Sequence, residues 1–341
     1  MYERFFEIKT AKASELCGGQ SIGKSRQGRP IQGFKFGAGK LNLSLIAGNH
    51  ADEPVGPRFL GLLTAYLSTL PDSDPLLNEY SWWIVPHSNP DGRENNHSWQ
   101  KELKDKCDLG LYLRDTRREL PGDDMEFGFP RSPDDSTARP ENVAIANWWQ
   151  KSGGFDFHAS LHGMGFAAGP WFLIDSEWSG RCGVIRQRCS EAVERLGYKL
   201  HDVERHGEKG FQRISKGFCT RPNHRAMQTY FKEQGDEETA AKFRPSSMEY
   251  VRKLGRDTLT IVSEMPLFIL PDVGKDLGPP DPAAEEWRSR IVRWKDRLEQ
   301  GERPELVSVE AEKLGLLPMP IEDQMHLQWT FICSAIEQLK A

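Results

Sequence analysis

The residues best equipped for chemistry begin in LIAGNHADEPVG (45–56), where His50, Asp52 and Glu53 follow an apolar run and a glycine. The i, i+3 spacing of His50 and Glu53 lets an imidazole and a carboxylate converge on one point from a turn. That pair suits zinc, and a catalytic zinc needs a third protein ligand beside an open position. Two residue types at one spacing form a weak pattern, so distant segments must supply the rest.

FDFHASLHGMG (155–165) offers two histidines. His158 and His162 share one face of a strand by period-two alternation, roughly 13 Å apart at about 3.3 Å per residue, so one ion takes only one of them. His162 stands at the expected strand end beside Gly163, where a loop opens, and is the better ligand; His158 lies deeper and reads as a hydrogen-bonded core histidine. A third apolar run, TLTIVSEMP (258–266), ends in Glu264. An isolated acid there would be a surface residue. Beside two other strand ends that offer ligands, it becomes the separate carboxylate with which a zinc hydrolase takes a proton from water.

These residues need strands to carry them, and β-branched or aromatic runs at 41–47, 81–86, 155–162, 171–175 and 258–264 predict buried strands. Apolar residues at helical spacing over 55–67 and 180–196 predict helices between them, which favours a layered α/β sheet. His50 and Glu53 then sit in a turn at the carboxyl end of a strand, where open α/β sheets place ligands. Residues 92–140, rich in charge, Gly and Pro, predict a functional loop system. After Pro282 the pattern turns purely helical, with Trp287, Ile291, Trp294 and Leu298, then Met325, Trp329, Ile332, Ile336 and Leu339, at helical spacing.

The chain has 341 residues, 38% of them hydrophobic, with 45 basic and 50 acidic residues and a net charge of -5. The two signs are mixed along the chain, which argues against nucleic acid or an anionic membrane as the main partner. No membrane-length apolar run and no signal peptide is visible, so a cytoplasmic protein is expected. Cys17, Cys107, Cys182, Cys189, Cys219 and Cys333 are scattered and predict reduced, mostly buried thiols.

Several motifs, in order, resemble the zinc carboxypeptidase family, especially its bacterial branch that includes murein peptide amidases. Ser25–Ile31 (SRQGRPI) resembles the family's SxxGRPI, GNHADEPVG its GxHGDEPxG, and Asn89-Pro90-Asp91-Gly92 its NPDG turn. SLHG and TIVSEMP resemble the segments that carry the last zinc histidine and the catalytic glutamate. The resemblance spans about residues 21–266. It implies a single α/β domain with a twisted mixed β-sheet flanked by helices over 1–270, while the helical pattern of the tail, outside the resemblance, predicts a C-terminal extension packed on that domain over 271–341.

The resemblance also implies one Zn²⁺ ion on His50, Glu53 and His162, with Glu264 as general base in the hydrolysis of a peptide or small amide. The family's loop TRxNxxGVDLNRNFP stands here as TRRELPGDDMEFGFP (116–130). Arg117 falls on the carbonyl-polarising position. Glu126 and Phe127 replace the Asn-Arg pair that grips a substrate's terminal carboxylate, so the reaction carries over better than the preference for a free carboxyl terminus. Arg114, Arg118 or Arg131 is the expected replacement cation, with Arg118 taken alongside Glu126 and Phe127 as a candidate substrate-binding residue. Two alternatives remain at this level: a zinc-dependent N-acyl amino-acid deacylase resembling aspartoacylase, and a peptide-binding module without turnover. Residues 201–247, rich in Arg, His and Gly, are expected to help shape the pocket.

Overall fold

LNLSLIA and YSWWIV each bury side chains on two faces. Leu43, Leu45 and Ala47 join one hydrophobic cluster and Ile46 another; Trp82 and Ile84 part from Trp83 and Val85 in the same way. Successive residues of a strand point to opposite faces, so strands apolar on both must be covered on both, as parallel sheets are. The computed structural model, which describes residues 1–12, 19–274 and 281–341, shows this arrangement.

Among the described residues, ten strands form one mixed sheet. They are β1 (Gln20–Lys24), β2 (Pro30–Phe36), β3 (Leu41–Ala47), β4 (Tyr80–Val85), β5 (Phe157–Ala167), β6 (Trp171–Ile174), β7 (Arg213–Ser215), β8 (Phe218–Thr220), β9 (Leu259–Ile269) and β10 (Leu317–Pro318). The order is β1-β2-β4-β3-β5-β9-β6-β8-β7, with β10 also pairing β9. The inner strands β4, β3, β5 and β9 are mutually parallel. Their carboxyl ends therefore point one way, and the three segments expected to carry chemistry emerge together.

Two of those strands run further than the sequence predicts. β5 and β9 do not stop at His162 and Glu264; they stay paired from Gly163↔Met265 to Ala167↔Ile269. The end that matters belongs to the neighbour: β3 stops at Ala47, opposite Leu161, so His162 is the first residue of β5 beyond its partner on that side. His162 and Glu264 are register partners across the β5–β9 pair, and directly opposed residues present their side chains on one face.

The helices Val55–Leu67, Gly183–Arg195 and Ile321–Lys340 contribute to the larger apolar cluster, and Pro140–Gln150 to the other. The last helix buries Met325, Trp329, Ile332 and Ile336 in the same cluster as Leu161 and Leu267, and Leu339 packs against it. In the helix Pro282–Glu299, Trp287, Trp294 and Leu298 are buried. The segment after Pro282 is not purely helical, because β10 pairs Leu317 with Ile269 and Pro318 with Phe268. The expected loop region also holds short helices, Pro90–Asn95, His97–Gln100 and Leu109–Asp115, each too short to show a periodic apolar face.

No helix among the described residues is long and apolar enough to cross a membrane. Cys107, Cys182, Cys189, Cys219 and Cys333 are free and buried. Cys17 lies outside the described residues.

Candidate metal centre

Past β3 the chain turns at Gly48, whose φ of +78° is the left-handed region that glycine reaches without penalty. A Cβ there would meet the His87 ring at 2.7 Å. The next residue, Asn49, is fully buried; its side-chain amide donates to Glu126 Oε2 at 2.7 Å and Ser160 Oγ at 3.2 Å, and its carbonyl accepts from Ser88 Oγ at 2.7 Å. The turn closes with Glu53 N donating to His50 O at 3.2 Å. These contacts hold His50 and Glu53 at the mouth of the sheet before the helix Val55–Leu67 begins.

His50 Nδ1 lies 2.8 Å from Glu53 Oε1, His162 Nδ1 lies 2.9 Å from Glu53 Oε2, and the two Nδ1 atoms are 3.2 Å apart. Three donor groups on two elements thus converge, all within 4.8 Å of one another. Ligands around a tetrahedral zinc, each at about 2.0–2.1 Å, stand roughly 3.3 Å apart, so the separations fit a single ion. Two imidazole nitrogens and a carboxylate oxygen are also the donor chemistry zinc accepts. A cation already stands against this set: Arg118 Nη2 is 3.0 Å from His50 Nδ1 and 3.2 Å from Glu53 Oε1, while its Nη1 donates to Asp52 Oδ2 at 3.1 Å.

Electrostatics follow from crowding. Burial would raise the Glu53 carboxyl, but the neighbouring imidazoles of His50 and His162 hold it well below the usual range. For His162, burial works to lower the pKa, and the flanking carboxylates of Glu126 and Glu53 outweigh it, lifting it to about 10. Glu264 is pushed up to about 7, chiefly by burial, with His162 pulling down and Glu53 pushing up. Its carboxyl makes no hydrogen bond or ion pair with the described residues.

The far nitrogen of His162 is held as well. Nε2 lies 2.8 Å from Glu126 Oε2 and 2.9 Å from Ser160 Oγ. A carboxylate behind the second ring nitrogen fixes tautomer and orientation in metal-ligating histidines. The other Glu126 oxygen is paired with Arg221, and burial of this acid is overcome by Arg221 and His162, which keep its pKa far down. Phe127 is also buried, edge-on to Phe243, with the Arg221 guanidinium 4.9 Å above its ring.

Of the anticipated site residues, the structure brings His50, Glu53, His162, Glu126 and Arg118 into direct contact and sets Glu264 across the strand pair from His162. Arg117 is not brought in: its Nη1 donates to the carbonyls of Arg114 and Thr116, at 3.2 and 3.0 Å. Arg114 pairs with Asp115, and Arg131 Nη2 with the carbonyls of Ala241 and Phe243. His158 is a core histidine, bonded to Ser44 and Ser247 at 3.1 Å each. Asp52 is 3% exposed and paired with Arg118, so it does not face solvent.

Asn49, Ser160 and Arg221 join the cluster without being expected from the sequence. Only Arg221 left a signal, as part of the Arg-rich segment expected near the pocket. The outlying motifs prove to be ties. Asp91 of NPDG accepts from Ser25 Oγ at 2.6 Å, Gln27 N at 3.0 Å and Arg29 Nη1 at 2.8 Å, so two motifs far apart in sequence clasp each other.

Fold and donor set together define an α/β protein in which His50, Glu53 and His162 form a cluster that could hold a metal ion beside parallel strands. The chain belongs to the zinc carboxypeptidase family, whose model matches residues 2–266. It is 33% identical over 93 residues to zinc carboxypeptidase A 1 of Drosophila melanogaster, a match covering 23% of this chain and 22% of that protein. The corresponding protein of Anopheles gambiae is 31% identical over 90 residues, covering 24% and 21%. The matched part spans about a fifth of either relative. A crystal structure from Shewanella denitrificans OS217, provisionally called a metallopeptidase, superposes with a TM-score of 0.50 at 13% identity, covering 97% of this chain and 89% of that one, and shares the fold.

Proposed function

We propose that this chain is a zinc-dependent hydrolase of peptide or amide bonds, with His50, Glu53 and His162 holding one ion and residues 1–270 forming the catalytic unit on which 271–341 packs. The observation that carries the reading is the convergence of three donors beside an uncommitted carboxylate. A zinc ion held there would supply Lewis acidity and an acidified water.

The chain's own residues divide the remaining work. Glu264 accepts a proton from the attacking water at its carboxylate and returns it to the departing amine. An elevated pKa near 7 suits both halves of that exchange. Glu126 and Ser160 hold the His162 ring in place. For the cation that faces the oxygen developing negative charge, the geometry favours Arg118 over Arg117, since only Arg118 reaches the cluster.

Because Glu126 is turned toward His162 and Arg221, no cation stands free at the positions where the family's Asn-Arg pair grips a carboxylate. Substrates that lack a free α-carboxylate are therefore expected to be cleaved. Peptides with free and amidated carboxyl termini, offered to the zinc-loaded protein, test this. Cleavage of both supports the reading; strict dependence on the free carboxylate would assign that grip to Arg221 or Arg118 and refute the role given to Glu126.

A further inference from the structure

A separate groove of about 580 Å³ lies between the outer face of the helix Val55–Leu67 and the segment 93–103, within the size range of small-molecule sites. Its polar wall is one-sided. Arg58, Arg93, His97, Lys101, His87 and Gln100 line it, and no carboxylate does. The chain as a whole carries more acids than bases, so a wall of one sign stands out. Arg93 and Lys101 have no carboxylate partner among the described residues.

His87 adds a directed donor. Its Nδ1 accepts from Asn89 N at 3.3 Å, which leaves the proton on Nε2, and that nitrogen has no partner among the described residues. Burial first, and the adjoining Arg93 charge second, hold this ring neutral, its pKa lowered to about 3. Arg58 is already committed to the carbonyls of Leu103 and Lys104 and contributes field more than contact. Like charges gathered in a concave wall raise the local concentration of counter-ions. The groove also adjoins the metal turn, since Pro54 lines it and Gln100 Nε2 donates to Ala51 O at 2.7 Å.

We infer that this groove binds the dianionic end of a small molecule, of the phosphate or dicarboxylate class, through Arg93, Lys101 and the Nε2–H of His87. The site is independent of the hydrolytic reading, as none of these residues belongs to the metal cluster. Calorimetric titration of the full zinc-loaded chain, at fixed ionic strength, with inorganic phosphate in one arm and succinate in the other, tests it and distinguishes the two classes.

Saturable binding in at least one arm is expected, weakened by about ten-fold or more in R93A/K101A. In the control variant Lys313→Ala, an exposed charge on a helix that does not line the groove, affinity is expected to stay unchanged. Both altered side chains of the test variant are exposed, so folding is preserved, and an unchanged thermal melt checks that. No saturable binding in either arm would overturn the inference, as would binding that survives in R93A/K101A, which belongs to the metal, or equal weakening in the control, which reports bulk charge.

Discussion

His50, Glu53 and His162 stand on or just past parallel strands, whereas Arg118, Glu126 and Phe127 stand on a long connection crossing the same mouth. The first group is placed by the sheet's hydrogen-bond register, in which Ala47 faces Leu161 and His162 faces Glu264. A one-residue slip would turn every side chain of a strand to the other face, so register with both faces buried is strongly specified. The second group is placed by individual polar ties. Asn96 brackets the loop by accepting from Arg117 N at 2.9 Å and donating to Arg117 O at 2.8 Å; Glu119 takes Asn89 and Arg139; Asp124 accepts from Glu126 N at 3.0 Å. A loop so held can exchange one arginine for its neighbour without disturbing the sheet, which is the difference between Arg117 and Arg118.

Variants can break this contrast. The largest effect is expected on the strand side: Glu53→Ala should empty the centre and reduce hydrolysis to background, with metal content read by atomic absorption. On the loop side, Arg118→Ala should lower kcat by about 10²–10³-fold, as loss of one oxyanion donor does, while Arg117→Ala should leave it nearly unchanged. Equal losses in both would show that the loop rearranges when substrate binds.

A smaller effect is expected where the two sides meet. Glu126→Gln keeps the shape but weakens the hold on His162, and zinc affinity should fall by about 10–100-fold, the usual consequence of losing a partner behind a ligand. Competition with a metallochromic chelator measures it. An unchanged affinity would assign Glu126 to the pocket and not to the ligand.

The smallest effect concerns the tether of the Arg221 segment, where His224 Nδ1 lies 2.7 Å from Glu249 Oε1 and Ser246 N donates to Glu249 Oε2 at 3.0 Å. Burial raises the Glu249 pKa, but these bonds lower it further, below the usual 4.5. A carboxyl depressed on folding stabilises above its unfolded pKa and loses that contribution as pH falls through the folded value. Glu249→Gln should therefore cost about 1 kcal/mol at neutral pH, and the cost should shrink as pH drops below 4.5. Urea unfolding of both proteins at pH 7 and pH 3.5 reads the difference.

Legibility from sequence follows the same division. LNLSLIA and the helix over 55–67 match the structure residue for residue, because long apolar patterns with a single period have one burial solution. The convergence of His50, Glu53 and His162, with Glu264 across from His162, was legible because each adds a chemical group at or just past such an apolar run. The added length of β5 and β9 was not, since GMGFA and MPLFI carry no common pattern and are held in the sheet by pairing with each other and, at Phe268 and Ile269, with β10. Nor were Asn49 and Ser160, ordinary polar residues whose meaning is a partner far away in sequence. Arg117 and Arg118 are adjacent and chemically identical, so only loop geometry separates them.

In the proposed mechanism the strand-borne donors hold the metal while Glu264 moves the proton. Glu264→Gln, assayed for bound zinc and for peptide hydrolysis in the same sample, tests it most directly. Full zinc occupancy is expected, with turnover reduced by about 10²–10⁴-fold. Unchanged turnover, or loss of the metal along with it, would contradict the assignment.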